Sequence, residues 1–380
     1  MRSIGTFMPG ALLALSAAAC TSVTVAPTGG SGGGGGGASS SGDAASSSSS
    51  WSATTGTGGA GPVEPTCPAT LAGEQVIGCG FPPELTLIGV DAQAVYTLTL
   101  AGAFYRVEIA TGHRTRLFAP VAPVVPAVTA RLSGSALYFA ANLDHPGAAG
   151  LDLFALAVDQ GTTQPTALVT DLAAPELLVG DGFLYFDAAS GSALRRAPLG
   201  GGATVDLFAQ PSVPVALQGG FVYHVAPADH VARRTSVDGA TTTVLATGSE
   251  VDGRSYDVDA DFLYYSDQTN TENIRRCPLV GGAEVTLASF YQGDGDLPGP
   301  GPVFGLRTDA DSVYFLTQSY PAHHLYRIDK TAVMLSSTSA FDALGNSTSL
   351  PVFDATSMFV ARSTDPSDGP AEGMITRVPK

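Results

Sequence analysis

The stretch DFLYYSDQTNTENIRRCPLVGGAEVTLAS, at Asp261–Ser289, decides the fold. Its residues predict three short strands: Phe262–Ser266 is aromatic and apolar, Ile274–Leu279 alternates around two arginines, and Val285–Ala288 follows a Gly-Gly turn. The stretch carries no set of residues that suits a catalytic centre. It therefore indicates an architecture and leaves the chemistry open.

The same phrase recurs along the whole chain. Each copy has an apolar strand around one aromatic residue, which we call the anchor; the anchors are Tyr96, Tyr138, Tyr185, Tyr223, Tyr264, Tyr314 and Phe359. The steps between them run from 38 residues (185 to 223) to 50 residues (264 to 314). A period near 40–50 residues is typical of an array of supersecondary units. Further short strands flank most anchor strands, so one unit is four strands.

Both faces of the anchor strands are expected to be buried. In five of the seven units, three consecutive residues of this strand are apolar or aromatic. Such a strand suits sheets that stack radially on their neighbours. We therefore predict an all-β protein, a β-propeller of seven four-stranded blades, with six or eight blades as alternatives. The last unit stops at Ile375–Lys380, one strand short, and Glu74–Gly78 is available to complete it and close the ring.

The segments LYYSD and NIRRCPLVGG resemble the YWTD propeller repeat of low-density lipoprotein receptors, and the looser repeats of NHL- and TolB-type bacterial propellers. The resemblance covers about Leu85–Lys380. Two departures from the YWTD family stand out: no Trp occupies the second position of the motif, and this chain has seven units where that family has six blades. The resemblance implies the architecture and does not extend to a ligand.

The N-terminus has the features of an export signal. Met1–Ala19 combines Arg2, an apolar segment and small residues before Cys20, which predicts a signal peptide. It resembles a bacterial lipoprotein signal, although Ala17 stands where that family usually has Leu. The resemblance implies that Cys20 is acylated, and Thr21, by resemblance to enteric sorting, that the anchor lies in the outer membrane. The alternative is ordinary cleavage after Ala19 and a secreted protein.

Residues 20–66 predict a disordered tether between the lipid and a propeller domain at residues 67–380. Thr28–Gly61 is rich in Gly, Ser, Ala and Thr and has nothing with which to build a core. A flexible coil of about 35 residues has an r.m.s. span of roughly 30–35 Å. In an oxidising envelope we expect Cys67 and Cys79 to form a disulfide worth about 3 kcal/mol. Cys277 is then expected to be a small buried thiol.

Charge and motifs restrict the function. The net charge is −16, and Lys330 and Lys380 are the only lysines, so nucleic acid and anionic lipid headgroups are poor partners. No motif indicates a catalytic, cofactor or metal site. We expect a monomeric, non-enzymatic scaffold for a protein, peptide or glycan. The alternative is a propeller enzyme, a hydrolase or lyase, with a polar site in its central channel.

Several polar residues have a structural interpretation. Asp91, Asp259, Asp309 and Asp354 each lie five residues before an anchor, where an Asp side chain bonds its own turn. His224 is expected to be a hydrogen-bonded core or channel-lining residue. Polar loops after the anchor strands are expected to be solvated; they contain Asp144-His145, Asp229-His230, Asp267–Glu272, His323-His324 and Asp365–Asp368. Gln292–Pro302 is expected to be a rigid connector.

Overall fold

The structure is a computed structural model, and it describes residues 19–20, 24–25, 67, 70–71, 74–120, 129–143, 151–159, 164–188, 193–226, 231–247, 255–268, 271–291, 302–318, 323–333, 335, 342–363 and 372–380. Every regular element in these ranges is a β-strand, which confirms the all-β prediction. The same ranges contain no helix with the length and apolar character needed to cross a bilayer.

Seven antiparallel blades of four strands form a β-propeller, so the prediction of seven blades is confirmed over the alternatives of six and eight. From the axis outward, blade one consists of Leu85–Val90, Ala94–Thr99, Phe104–Glu108 and Arg114–Phe118, and blade two of Ala130–Ser133, Ala136–Ala141, Leu151–Ala157 and the start of Thr166–Gly180. Blade three consists of the end of Thr166–Gly180, Phe183–Ala188, Leu194–Pro198 and Val205–Phe208, and blade four of Val213–Gln218, Phe221–Ala226, Val231–Ser236 and Thr242–Thr247.

The remaining three blades complete the ring. Blade five consists of Tyr256–Val258, Phe262–Gln268, Thr271–Pro278 and Val285–Tyr291, and blade six of Val303–Thr308, Ser312–Gln318, His323–Asp329 and Asp342–Asn346. Blade seven consists of Val352–Phe353, Ser357–Ser363, Gly373–Pro379 and Glu74–Phe81. Three further two-residue strands add to the blades. Thr24–Val25 and Thr70–Leu71 extend the outer edges of blades four and seven, and Ala19–Cys20 forms a separate two-stranded sheet with Gly282–Ala283. The other residues of the predicted signal and of the 20–66 tether lie outside the described ranges.

The anchor strands bury both faces because adjacent blades cover them. Val95 packs with residues of blade seven, whereas its neighbour Tyr96 packs with residues of blade two. Each of the seven blade interfaces has one hydrophobic cluster of this kind. Six of the seven anchors are at most 3% exposed, and Tyr138 is 6% exposed. The apolar core is therefore a ring of interfaces between sheets.

The ring closes as predicted, through a strand from the N-terminal side of the domain. Glu74–Phe81 pairs antiparallel with Gly373–Pro379, with Ile375 opposite Gly78 and Arg377 opposite Gln75. It is three residues longer than the predicted Glu74–Gly78. The buried Arg362 guanidinium forms an ion pair with Glu74, which fastens the same strand a second time.

A second connection joins the ends of the repeat array, between blade seven and blade one. The Thr348 hydroxyl donates to the Leu85 carbonyl at 2.6 Å, and the Leu87 amide donates to the Ser349 hydroxyl at 3.1 Å. Side chains just before the last blade thus hold the inner strand of the first.

The structure contains a disulfide between Cys67 and Cys79, with the two Cα atoms 5.5 Å apart. Cys79 lies on the closing strand, where it packs with Val76 and Met374. Cys277 is buried, as expected, at 1% exposure. It is disulfide-bonded, however, so the prediction of a thiol there is wrong. The sequence pattern alone did not indicate this bond, because Cys277 stands far along the chain from every other cysteine.

The aspartates before the anchors organise the turns, as predicted. Asp91 Oδ1 accepts from the amides of Gln93 and Ala94, each at 2.8 Å. Its Oδ2 also accepts from the hydroxyl of the anchor Tyr96 at 2.8 Å, a contact that the sequence analysis missed. The same arrangement recurs in two further blades, between Asp259 and Tyr264 and between Asp309 and Tyr314. Asp354 keeps the two backbone contacts and accepts from the Thr356 hydroxyl at 3.1 Å, because the anchor there is Phe359, which has no hydroxyl to donate.

These aspartate–tyrosine contacts can be tested with two conservative variants. We expect Tyr264→Phe to lower the free energy of unfolding by about 1–2 kcal/mol, because it removes a hydrogen bond to a carboxylate. Tyr185→Phe is the matched control, since this buried anchor hydroxyl has no hydrogen-bond partner among the described residues. Urea unfolding at pH 7 measures both. Equal losses in the two variants would contradict a stabilising role for the aspartate.

Candidate functional site in the central channel

Seven residues of the inner strands lie at one level around the propeller axis. Each pairs directly with an anchor, and each stands seven residues before it in sequence; they are Gly89, Arg131, Leu178, Ala216, Asp257, Arg307 and Val352. We call this set the inner ring. Because cross-strand partners share a face and a height in the sheet, the repeat places these residues at equivalent positions of every blade.

Three of the seven inner-ring residues are charged: Arg131, Asp257 and Arg307, on blades two, five and six. All three are half-buried. Arg131 and Arg307 are three blades apart by the shorter path, yet the positive charge of Arg307 lowers the pKa of Arg131, whereas Asp257 acts in the opposite direction. Glu176, two residues from the inner-ring position of blade three, also acts on Arg131. The channel therefore has a charged centre.

Asp257 is held by the inner strand of the neighbouring blade. Its Oδ2 accepts from the Thr308 amide at 2.6 Å and from the Thr308 hydroxyl at 3.0 Å. Burial raises the pKa of Asp257 above its ordinary value, although Arg307 and the Thr308 hydrogen bonds act in the opposite direction. This carboxyl therefore connects blades five and six and takes up a proton more readily than an exposed aspartate does.

The two arginines have no comparable partners. The Arg131 guanidinium donates to the carbonyl of its neighbour Ala130 at 3.1 Å. Neither Arg131 nor Arg307 has a carboxylate within ion-pair distance among the described residues. Burial lowers the pKa of Arg131 to about 10, and the positive charge of Arg307 acts in the same direction, so Arg131 is still a cation at pH 7.

The inner ring has the chemistry of a site that binds anions. Guanidinium groups donate several hydrogen bonds and do not accept protons, so they suit a carboxylate or phosphate and not a general base. Among the described residues, no group of three or more His, Cys, Asp or Glu side chains converges on a point where a metal could bind.

The described polar residues that the sequence singled out lie away from this centre. His224 is fully buried, and its Nε2 lies 2.8 Å from the Thr235 hydroxyl, which confirms a hydrogen-bonded core residue. His323 and His324 begin the third strand of blade six, and burial lowers the pKa of His323. Asp144-His145, Asp229-His230, Asp365–Asp368 and 292–301 lie outside the described residues, as do the side chains of 267–272.

Comparisons with known proteins find similar structures but no matching family. No protein-family model matches the chain, and no curated protein matches it. Among solved structures, the N-terminal domain of Nup159 is 10% identical with a TM-score of 0.47, over 78% of this chain and 90% of that one. BamB from Moraxella catarrhalis is 14% identical with a TM-score of 0.45, over 80% and 84%. A chain of the nidogen/laminin complex is 13% identical with a TM-score of 0.42, over 64% and 88%. None of these similarities assigns a family, a ligand or an activity.

The pKa of Asp257 and that of Asp259 predict opposite effects of two Asp→Asn substitutions. Burial acts to raise the pKa of Asp259, but hydrogen bonds from Lys330 and from the amides of Asp261 and Phe262 outweigh it, and the net pKa is lowered. Its carboxylate therefore stabilises the fold above pH 4, and this stabilisation is lost as the pH falls below the ordinary value of 3.8.

For Asp257 the sign is reversed, because a raised pKa in the folded state favours folding at low pH and opposes it as the pH rises. We expect Asp257→Asn to be at least as stable as the wild type at pH 7, with the difference shrinking towards pH 4. Asp259→Asn should lose about 1–2 kcal/mol at pH 7. Urea unfolding at pH 7, 5 and 3.5 measures both. A large loss for Asp257→Asn at pH 7 would contradict this assignment.

Proposed function

We propose that this protein is a lipid-anchored β-propeller of the bacterial cell envelope that binds a protein, peptide or glycan without catalysing a reaction. The observation that carries the proposal is the inner ring, where Arg131 and Arg307 stand on inner strands without an ion-pair partner among the described residues. Cations of this kind bind a ligand and hold it. The closed ring supports the proposal, because it fixes the backbone on which both arginines stand.

The state of the one carboxyl in the inner ring also favours binding over catalysis. A general base must be free to take a proton from a substrate. Asp257 Oδ2 instead accepts two hydrogen bonds from Thr308, and Asp257 has no second carboxylate or histidine against it at the same level. The position therefore suits a group that holds two blades together.

An enzyme is the second candidate, and the raised pKa of Asp257 favours it. A carboxyl that holds its proton more tightly than usual, beside arginines in a channel, suits a general acid of a hydrolase or lyase. The two candidates differ in what Asp257→Asn does. An enzyme would lose turnover and keep its substrate bound, whereas a binding scaffold would keep its ligand and have no turnover to lose.

Lipid attachment at Cys20 carries a consequence for Cys277. The chain has four cysteines, and two of them form the Cys67–Cys79 bond. Cys20 is therefore the one remaining cysteine with which Cys277 can bond inside the same molecule. The structure holds Cys277 in a disulfide, and acylation of the Cys20 sulfur would exclude an internal one. The proposed anchor therefore requires a lipidated protein in which Cys277 is a thiol.

Metabolic labelling with palmitate tests the anchor. We expect label and membrane fractionation for the wild type and for Cys277→Ser, and loss of both for Cys20→Ser. Intact mass of the mature protein should show lipid on Cys20 together with one thiol that reacts after denaturation. A mature chain with no lipid and no reactive thiol would contradict the anchor.

Affinity capture tests the binding function. Detergent-solubilised envelope is passed over the immobilised mature chain, over Arg307→Glu and over Arg195→Glu, whose exposed side chain pairs with Asp206 at the rim. We expect one stoichiometric partner or glycan on the wild type and on the rim variant, and none on Arg307→Glu. Recovery of nothing by the wild type would contradict the binding function. Equal recovery by all three would contradict the inner ring as its site.

A further inference from the structure

We propose that the inner ring recognises the C-terminal carboxylate of an extended peptide, with Arg131 and Arg307 as the cations that bind it. This inference rests on the proposed binding function and names the ligand class for the same site.

The two arginines are placed to share one small anion. They occupy equivalent positions on inner strands three blades apart, opposite Tyr138 and Tyr314. Both are half-buried, and the charge of Arg307 acts on Arg131 across the channel. Two like charges repel each other at short range, and an anion between them converts that repulsion into two attractions. A carboxylate, with two oxygens, matches two guanidinium groups that approach it from opposite sides.

The acidic residues Asp257 and Glu176 act on Arg131 electrostatically, but neither forms an ion pair with an inner-ring arginine. Asp257 is turned towards blade six, where Thr308 donates two hydrogen bonds to it. Glu176 lies two residues away from the inner-ring level and makes no ion pair with Arg131. By contrast, arginines further out have acceptors: Arg196 donates to the Val237 carbonyl at 2.5 Å and Arg276 to the Lys330 carbonyl at 2.6 Å, both across a blade interface. Among the described residues, the inner pair therefore differs in having no acceptor on a neighbouring blade, since Arg131 donates only to the adjacent Ala130 carbonyl.

The backbone around the axis favours a peptide over a glycan. Six of the seven inner strands are the end strands of their sheets, so one edge of each carries amide and carbonyl groups that no neighbouring strand pairs. Such edges are complementary to the amide groups of an extended chain. Capture of a C-terminal carboxylate together with backbone pairing is a recurrent mode of peptide recognition.

The charge of the whole molecule favours a single carboxylate over a polyanion. The chain carries a net charge of −16, which repels an extended acidic polymer such as a polyuronate at low ionic strength. One terminal carboxylate meets little of that repulsion and gains both arginines. The site is thus expected to select a peptide end and to disfavour an acidic side chain flanked by other acids.

Fluorescence anisotropy on the full mature chain tests this proposal with two probes, a fluorescein-labelled random decapeptide pool with free C-termini and the same pool as C-terminal amides. We expect the amide pool to bind at least about tenfold more weakly, since a hydrogen bond to a charged group is worth about 1.5–3 kcal/mol. Arg131→Ala and Arg307→Ala should each weaken binding of the acid pool by about tenfold or more and bring it close to the amide pool. Arg195→Ala, at the rim, should leave it unchanged.

Further variants and probes separate failure of this inference from failure of the proposed function. Arg131→Gln and Arg307→Gln keep most of the side-chain volume, and circular dichroism melting shows which variants fold. Equal binding of acid and amide pools, or wild-type affinity in all arginine variants, would overturn the peptide-end assignment. If a galacturonate oligosaccharide binds in an arginine-dependent way and neither peptide pool binds, the peptide-end assignment is wrong and the proposed binding function still holds. If neither the peptide pools nor the oligosaccharide binds, and affinity capture recovers nothing, both the peptide-end assignment and the proposed binding function are wrong.

Discussion

No blade of this protein can bury its own apolar faces, and the rest of the structure depends on that constraint. Consecutive residues of an anchor strand pack into different interfaces, as Val95 and Tyr96 do on blade one. Burying apolar surface is worth about 25 cal/mol per Å². An open array would leave one face of the first blade and one of the last in water. The closing strand Glu74–Phe81, the Arg362–Glu74 ion pair and the Thr348–Leu85 hydrogen bond all act at the point where those two faces meet.

The ring could be predicted from the sequence because its signals are local and repeated. A run such as Leu137-Tyr138-Phe139 indicates burial on both faces, and its recurrence gives the number of blades. The missing last strand and the spare segment at Glu74 indicated the closure. The contact between Tyr96 and Asp91 was not predicted from the five-residue spacing, because an Asp in a turn is expected to accept from the backbone of that turn, and its second oxygen is free for a hydroxyl only once the strands have folded.

The inner ring was missed for a different reason. The short inner strands contain Arg131, Asp257 and Arg307. In each of them, one charged residue among apolar ones does not by itself indicate a site. The three residues become a set only when the seven-residue spacing to the anchors is applied to every unit. The partner of Asp257 is Thr308, 51 residues away, and only the packing of blade five on blade six brings them together. The disulfide bond at Cys277 could not be predicted for the same reason, because it depends on contacts between residues far apart in sequence.

The way the ring is closed also sets the order in which the protein can be completed. Glu74–Phe81 is synthesised about 300 residues before its blade partner Gly373–Pro379, so the closing strand must wait for the last strand of the chain. Contacts of such wide sequence separation form slowly, because loop closure must precede them. Until residue 379 arrives, two apolar sheet faces and two strand edges are exposed at once, which makes the incomplete ring a substrate for chaperones and for aggregation. A propeller whose last blade came from one end of the chain alone would avoid that delay. Its N-terminal and C-terminal strands would not be hydrogen-bonded to each other, however.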